Sequence, residues 1–182
     1  MSVPVVIIIV RLKRFFHYIE AIYLTGCIPI KFKRSAKITN ENQLIKNYEM
    51  RKIEHIGIAV KSIEESNVLF EKLFGRAHYK IEEVDSEGVN TSFFQIGPNK
   101  IELLEATKED SPIAKFIEKK GEGIHHIAYD VEDIRAEMKR LKEEGFTLLN
   151  EEPKRGADNK LVCFLHPKTT NGVLIELCQD AG

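Results

Sequence analysis

An internal repeat constrains the fold of this chain more than any other feature of its 182 residues. The segment at residues 54–60, Glu-His-Ile-Gly-Ile-Ala-Val, matches the segment at residues 125–131, His-His-Ile-Ala-Tyr-Asp-Val, at an offset of 71 residues. His55 therefore corresponds to His126. Each segment is predicted to form a strand.

A second match closes the repeat. Residues 100–104, Lys-Ile-Glu-Leu-Leu, match residues 174–178, Leu-Ile-Glu-Leu-Cys, at an offset of 74 residues, so Glu102 corresponds to Glu176. Apolar residues flank the Glu in both predicted strands. The Glu therefore takes the opposite face of each strand, as a side chain that enters a cleft would.

A predicted helix follows the first strand of each copy. Ser62 opens a capping box ahead of the first helix, and Asp133 caps the second. The apolar faces are expected to carry Ile63, Phe70, Leu73 and Phe74 in the first helix, and Ile134, Met138 and Leu141 in the second. Strand-like runs follow at residues 91–96 and 161–165, so each copy has the order strand, helix, several strands, and the fold class is α+β. Between the copies, Ser111 and Pro112 open a short helix.

The charge is distributed unevenly and marks a boundary near residue 50. Residues 1–49 hold 8 Lys or Arg and 3 acidic residues, whereas residues 50–182 hold 19 and 25. We therefore expect an N-terminal extension at residues 1–49, a leader or a disordered segment, followed by one domain with modules at about residues 51–106 and 122–179. The extension lacks sustained periodicity. It is either a basic targeting leader or sequence upstream of a natural start at Met50, and we prefer the second interpretation.

Composition disfavours several classes of protein and partner. With 27 basic and 28 acidic residues, the chain has no general attraction for nucleic acid or an anionic membrane. Its longest apolar run, residues 3–10, is 8 residues long and too short to span a bilayer. Cys27, Cys163 and Cys178 form no CxxC motif, so neither a disulfide framework nor a cysteine zinc site is predicted, and a reducing compartment such as the cytoplasm is expected.

The paired His and Glu residues form a candidate metal site if the two copies curl around a common cleft. Imidazole nitrogen and carboxylate oxygen suit Co²⁺, Ni²⁺, Mn²⁺ or Zn²⁺, and four protein ligands leave two positions open on an octahedral ion. Taken singly, His55, Glu102, His126 or Glu176 would more commonly be a packed or solvent-facing side chain. Their recurrence at equivalent places in both copies favours the metal site.

The other histidines of this part of the chain are not expected at that site. His125 is adjacent to His126 and should point to the opposite face of a strand, so a packing or hydrogen-bonding role is predicted. His78 and His166 have no counterpart in the repeat.

Several longer motifs occur in a fixed order: His55-Ile-Gly-Ile-Ala-Val60, Lys100-Ile-Glu-Leu-Leu-Glu105, Ser111-Pro-Ile-Ala114, Gly123-Ile-His-His-Ile-Ala128, Phe164-Leu-His-Pro-Lys168 and Gly172-Val-Leu-Ile-Glu-Leu177. On these motifs the chain resembles the vicinal oxygen chelate (glyoxalase) superfamily and, within it, the methylmalonyl-CoA epimerases. The resemblance covers residues 51–179. The first and last motifs alone would indicate only the superfamily, whereas their combination in this order indicates the epimerases.

The resemblance implies paired βαβββ modules that form a curled mixed sheet around a metal cleft. It implies His55, Glu102, His126 and Glu176 as metal ligands, with Co²⁺ as the first choice of ion. Similar proteins can have Gln at the third ligand position, so Glu102 adds negative charge here. The implied activity is interconversion of the C2 epimers of methylmalonyl-CoA through an enolate, within propionate metabolism, and the implied assembly is a homodimer.

Epimerisation needs an acid and a base on the two faces of C2. The resemblance places the Glu176 carboxylate beside C2, so Glu176 is the first candidate. A known epimerase has a second Glu after its Gly-Val pair, but here Thr91 occupies that position. Glu102 is our hypothesis for the second role, with a bound water or a one-sided mechanism as alternatives.

Two other functions remain open. A glyoxalase I type lactoylglutathione lyase uses the same four-ligand scheme on a glutathione hemithioacetal, and a metal-free small-molecule binding module can share the fold. A ring-cleaving dioxygenase is disfavoured because its triad has two His and one carboxylate. If residues 1–49 were a transit peptide, the compartment would be the mitochondrion.

Overall fold

The computed structural model describes residues 8–14, 17–23 and 50–182, and the chain divides into two compact units at residues 1–44 and 45–182. In the first unit, strands β1 (Ile8–Arg14) and β2 (His17–Tyr23) pair antiparallel. The expectation that residues 1–49 are an N-terminal extension, a leader or a disordered segment, stays a prediction. Alternation of apolar and basic residues covers just residues 10–13 in the sequence, which is too short to predict a strand. The remainder of residues 1–49 lies outside the described residues.

The second unit contains the same βαβββ order twice, as the resemblance implied. The first module consists of β3 (Lys52–Ala59), α1 (Ile63–Phe74), β4 (Lys80–Val84), β5 (Val89–Ile96) and β6 (Asn99–Ala106). The second consists of β7 (Gly123–Asp130), α3 (Ile134–Glu143), β8 (Lys154–Arg155), β9 (Lys160–Leu165), a short 3-10 helix (Pro167–Thr169) and β10 (Ile175–Asp180). Helix α2 (Pro112–Lys120) links the two modules.

Within the described part of the chain the ten strands form two sheets, and the larger one, built from the two modules, positions the candidate site. Its eight strands have the order β4-β5-β6-β3-β7-β10-β9-β8 and curl into a half-barrel. Within the modules, β3 pairs parallel with β6 and β7 pairs parallel with β10, while β3 and β7 pair antiparallel and join the modules. The strands that carry the repeated His and Glu are therefore the four central ones.

Side-chain caps start the three helices where the sequence predicts them. The hydroxyls of Ser62 and Ser111 accept hydrogen bonds from the backbone N–H three residues later, at 3.2 and 3.1 Å. The Asp133 carboxylate does the same at 3.0 Å. Each cap satisfies a donor of the first turn that has no partner within the helix.

Helices α1 and α3 cover the convex face of the sheet. Their apolar sides pack against the residues that flank the repeated Glu, with Leu103 at α1 and Leu177 at α3, both fully buried. The predicted faces are confirmed except for Leu73, which is 69% exposed. Leu73 is one residue before Phe74 and is therefore rotated by about 100° from the side that faces the sheet.

Helix α2 packs against the concave face. Its Ile113 is buried in a cluster with Ala59, Val89 and Leu104, which lie on the same face as the repeated His and Glu. This helix therefore closes part of the cleft. Among the described residues, no helix is long and apolar enough to cross a membrane.

Candidate functional site

The four repeated residues converge on the concave face of the half-barrel. His55 lies on β3, Glu102 on β6, His126 on β7 and Glu176 on β10, which are adjacent strands of the sheet. Each of the four is at most 5% exposed. Adjacent residues of a strand point to opposite faces, so the apolar neighbours of both Glu residues lie on the other face of the sheet and pack under the helices.

Three of the four side chains direct an atom to one point. His126 Nε2 lies 2.9 Å from Glu176 Oε2 and 2.9 Å from His55 Nε2, and His55 Nε2 lies 3.5 Å from Glu176 Oε2. These ligand atoms all lie within 4.8 Å of one another, which is close enough to share one ion. Glu102 approaches from the other side of His55, with Oε1 3.3 Å from Nδ1 of that ring.

A cavity of about 480 Å³ opens above this cluster. Glu102, His126 and Glu176 form part of its lining, and its apolar walls include Val89, Leu104, Ile113, Val162, Phe164 and Leu174. A cavity with apolar walls and a few converging polar groups is typical of a small-molecule site.

The His126 ring lies directly against the backbone of Gly57, its partner across the β3–β7 pair. A Cβ atom added at Gly57 would be 2.3 Å from Cε1 of the ring. The absence of a side chain at residue 57 therefore makes room for the imidazole. The residue opposite His55 is Ala128, so the two modules differ at this point.

Strands β3 and β7 each contain one bulge, and this overturns the expected orientation of His125. The register shifts between Ile53 and His55 on β3, which makes Glu54 the extra residue, and His125 is the extra residue on β7. A bulge breaks the alternation of faces. His125 consequently lines the same cavity as His126, with the two Nδ1 atoms 2.9 Å apart. The predicted hydrogen-bonding and packing role of His125 agrees with its contacts to His126 and to the Phe116 ring.

Glu54 is a residue of the site that the sequence analysis did not select. Its Oε2 lies 2.6 Å from His55 Nδ1, and its Oε1 lies 2.9 Å from the Nζ of the buried Lys100. Burial opposes ionisation of Glu54, but the hydrogen bonds with His55 and Lys100 outweigh it and lower its pKa to about 2. A signal was present in the repeat, because Glu54 corresponds to His125 and both precede a repeated His.

A thiol fixes the second oxygen of Glu176. Cys178 Sγ donates to Glu176 Oε1 at 3.2 Å, so Oε2 is the oxygen that faces the two histidines. Cys163 and Cys178 are both fully buried, in strands β9 and β10.

The charges of the cluster favour a cation. Burial works against a charge on His55, but the nearby Glu102 and Glu176 carboxylates outweigh it and raise the pKa of His55 to about 10. Burial raises the pKa of Glu102, and although attraction to His55 opposes this rise, repulsion from Glu176 adds to it. Burial and the neighbouring His126 lower the pKa of His125 to about 4. The two buried carboxylates therefore favour positive charge beside them, which the His55 ring carries here.

Two further histidines lie outside the site. His78 Nδ1 pairs with Glu71 at 2.8 Å, and His166 Nδ1 accepts from the backbone N–H of Lys168 at 3.0 Å at the start of the 3-10 helix. Thr91 is buried and lines the cavity.

Ion pairs join the two outer ends of the curled sheet. Asp158, in the turn between β8 and β9, lies 2.8 Å from Lys100 Nζ and 3.3 Å from Lys80 Nζ of the first module. Lys154 of β8 pairs with Glu87 at 2.5 Å. These contacts cross between the modules on the concave side and narrow the cavity.

Comparison with known proteins gives the same fold, and several of the relatives are methylmalonyl-CoA epimerases. Residues 54–164 match the family model of the Glyoxalase/Bleomycin resistance protein/Dioxygenase superfamily. The chain is 44% identical over 130 residues to the ethylmalonyl-CoA/methylmalonyl-CoA epimerase of Cereibacter sphaeroides, covering 70% of this chain and 97% of that protein. It is 38% identical over 133 residues to the mitochondrial methylmalonyl-CoA epimerase of Homo sapiens, covering 72% of this chain and 76% of that protein.

A solved structure is also similar. The methylmalonyl-CoA epimerase of Streptomyces coelicolor, in a variant bound to 2-nitronate-propionyl-CoA, superimposes with a TM-score of 0.69 at 34% identity. The match covers 72% of this chain and 98% of that one.

Proposed function

Because the chain belongs to the methylmalonyl-CoA epimerase family of the glyoxalase/bleomycin resistance protein/dioxygenase superfamily, we propose that it interconverts the C2 epimers of methylmalonyl-CoA with the help of a divalent metal ion. The observation that carries the proposal is the convergence of two His and two Glu, from four adjacent strands, under one apolar cavity. The named relatives are epimerases of this substrate or of it and ethylmalonyl-CoA.

The donor set fits a divalent ion of the first transition row. His55, His126 and Glu176 present two imidazole nitrogens and one carboxylate oxygen within 4.8 Å of one another, and Glu102 is the fourth ligand in this proposal. Such N and O donors suit Co²⁺, Ni²⁺, Mn²⁺ and Zn²⁺, and Co²⁺ is the first ion to test. When bound, the ion supplies positive charge that stabilises the negative charge arising as the C2 proton leaves.

The two carboxylates lie on opposite flanks of the histidine pair, which suits proton transfer at two faces of one carbon. In the strand order β6-β3-β7-β10, Glu102 and Glu176 occupy the outer strands and the histidines the inner ones. In this proposal Glu176 removes the C2 proton on one side and Glu102 returns a proton on the other. The deprotonated substrate is an enolate, and inversion follows when the proton arrives on the opposite face.

The presence of Thr91, rather than a second carboxylate, makes Glu102 the preferred acid or base for the second face of C2. A threonine hydroxyl does not act as a base near neutral pH, and Thr91 pairs with Leu104 in the β5–β6 register, close to Glu102. The apolar walls of the cavity exclude water around the reacting carbon and strengthen the electrostatic interactions of both carboxylates.

Deuterium exchange at C2 tests this function. Methylmalonyl-CoA is incubated in D₂O with the protein, first stripped of metal by a chelator and then restored with Co²⁺. We expect metal-dependent incorporation of deuterium and scrambling of the C2 configuration. Absence of incorporation by fully metallated protein would refute the proposal, and methylglyoxal with glutathione would then test the glyoxalase I alternative. Failure to retain any metal would favour the binding module.

A Glu102→Gln variant tests the second role. Gln keeps an oxygen that can bind metal but neither takes up nor delivers a proton, so we expect the variant to bind metal. Inversion at C2 should fall more than deuterium exchange of the C2 proton that Glu176 removes. Unchanged metal binding and unchanged epimerisation would remove Glu102 from the mechanism.

The assembly and compartment complete the proposal. Val68, Leu69 and Leu73 of α1 are exposed apolar side chains that suit a contact with a second copy, so we propose a homodimer, which light scattering measures directly. The cytoplasm is the proposed compartment, with the mitochondrion as the alternative. Nucleic acid and membranes are not proposed partners.

A further inference from the structure

The two bulges place equivalent residues beside the two metal-binding histidines. Glu54 and His125 have no residue opposite them in the β3–β7 register, and they correspond at the repeat offset of 71 residues. Bulges are frequent next to functional sites, where they redirect a side chain. Here each bulge turns the residue before a ligand histidine onto the face of that histidine.

Both bulge residues contact the same ring atom of the histidine that follows. Glu54 Oε2 lies 2.6 Å from His55 Nδ1, and His125 Nδ1 lies 2.9 Å from His126 Nδ1. The Nε2 atoms of both rings face each other and Glu176. The two halves of the site thus use different chemistry, a carboxylate and an imidazole, at one geometric position.

We infer that Glu54 and His125 are positioning residues, each accepting the Nδ1–H of its histidine so that Nε2 remains free for the metal ion. A neutral imidazole has one N–H, so an acceptor at Nδ1 selects the tautomer whose lone pair is on Nε2. The same hydrogen bond fixes the ring plane and increases the basicity of the ligand. The inference rests on the metal site of the proposed function, but it concerns metal binding rather than the reaction.

Each positioning residue is itself held in place. Glu54 is within 2.9 Å of Lys100 Nζ and 3.3 Å of Lys160 Nζ, and its relative exposure is 5%. His125 packs against Phe116 with the ring centroids 5.0 Å apart and the planes at 85°. A charged pair supports one acceptor, and an aromatic contact supports the other.

Paired substitutions separate the hydrogen bond from the bulk of each side chain. Glu54→Leu and His125→Phe remove the acceptor, whereas Glu54→Gln and His125→Asn retain an acceptor atom, the amide oxygen of the new side chain. The measurement is Zn²⁺ affinity of the full chain, by competition with a chromophoric chelator. We expect Leu and Phe to weaken binding about 10- to 100-fold and Gln and Asn to weaken it less.

A buried residue away from the site provides the matched control. Ser92 is fully buried, and its hydroxyl donates to Asn67 Oδ1 at 2.7 Å without contact to the four ligands. Ser92→Ala removes one buried hydrogen bond and should leave Zn²⁺ affinity at the wild-type value. A loss of affinity in this variant equal to that in Glu54→Leu would overturn the inference, because the effect would then be general loosening.

A direct readout of the tautomer does not depend on any variant folding. Long-range ¹H–¹⁵N spectra of the zinc-loaded wild-type protein should show a proton on Nδ1 and metal on Nε2 in both His55 and His126. A proton on Nε2, wild-type affinity in both acceptor-removing variants, or failure of the wild-type protein to bind Zn²⁺ would each overturn the inference. Weakened binding in these variants combined with no C2 exchange by the metallated wild type would refute the epimerase and leave the positioning role intact.

Discussion

Substitution of Gly57 by Ala is the sharpest test of how the backbone shapes the proposed metal site. A Cβ atom at residue 57 would lie 2.3 Å from Cε1 and 2.7 Å from both nitrogens of the His126 ring, whereas ordinary contacts begin at 3.4 Å. The backbone of Gly57 does not have a positive φ, so Ala introduces no backbone strain there. The direct effect of the substitution is therefore a steric displacement of the His126 imidazole.

The size of this displacement of the His126 ring follows from the distances. Cε1 must retreat by the difference between 2.3 and 3.4 Å, which is about 1 Å. Metal–ligand distances tolerate errors of about 0.2 Å, and a misplacement of about 1 Å can reduce a catalysed rate by roughly 100-fold. We expect Gly57→Ala to lose most of its metal affinity and at least that much of its C2 exchange activity. Overpacking should also reduce the free energy of unfolding by about 1–3 kcal/mol.

Chelator competition, C2 deuterium exchange and urea unfolding measure the three effects in one preparation. Gly156→Ala is the control, because a Cβ there meets Val162 Cγ1 at 2.9 Å and crowds the interior without touching a ligand. This control should lose stability and keep its metal affinity. Wild-type metal affinity in Gly57→Ala would refute the reasoning, since it would mean that His126 binds no metal or that its ring has room to move.

Three other predictions concern stability and reactivity. Asp158→Asn should lower the free energy of unfolding at pH 7 by roughly 1 kcal/mol, because Lys100 and Lys80 outweigh burial and hold the pKa of the Asp158 carboxyl below its ordinary value. The pKa of Asp158 is lower in the folded protein than in the unfolded chain, so its contribution to stability is present above roughly pH 4 and is lost as the pH falls below that value. The unfolding free energies of wild type and Asp158→Asn, measured by urea titration, should therefore converge in acid. A difference that persists in acid would contradict this assignment. Ser111→Ala should cost about 0.5–2 kcal/mol through loss of the α2 cap, and a change in unfolding midpoint within error would count against that cap. Burial raises the pKa of the Cys163 thiol to about 11, so peptide mapping after iodoacetamide treatment at pH 8 should find it unmodified in folded protein and modified in urea; rapid native labelling would contradict its burial.

The repeat made most of this architecture predictable. Two copies of a strand with His and a strand with Glu led to the order strand, helix, several strands and to the convergence of His55, Glu102, His126 and Glu176, and the resemblance implied the βαβββ modules. Alternation along each Glu strand correctly placed apolar neighbours under the helices, because a regular strand has a period of two.

The features that escaped prediction are departures from regular geometry or contacts between distant segments. A bulge inserts one residue without a distinct sequence signal, so strict alternation assigned His125 to the wrong face and left Glu54 unnoticed. Leu73 is apolar and close to the correct helix face, but helical rotation leaves it in solvent. The pairing of Lys100 with Asp158 joins residues 58 apart in the chain and depends on the curl of the whole sheet.

The β3–β7 pair, which joins the two modules, runs through the middle of the proposed metal site. Each module contributes one His and one Glu, which is half of the proposed set of ligands. A lone module would complete the set by pairing its first strand with the first strand of an identical copy, as β3 pairs with β7. The architecture is that of a symmetric dimer fused into one polypeptide. In a single polypeptide the two halves can have different residues at equivalent positions. Gly57, which lies opposite the His126 ring, corresponds to Ala128 in the second module, and Glu54 corresponds to His125. A fused pair can place different side chains at equivalent positions of its two halves, whereas a pair of identical chains cannot.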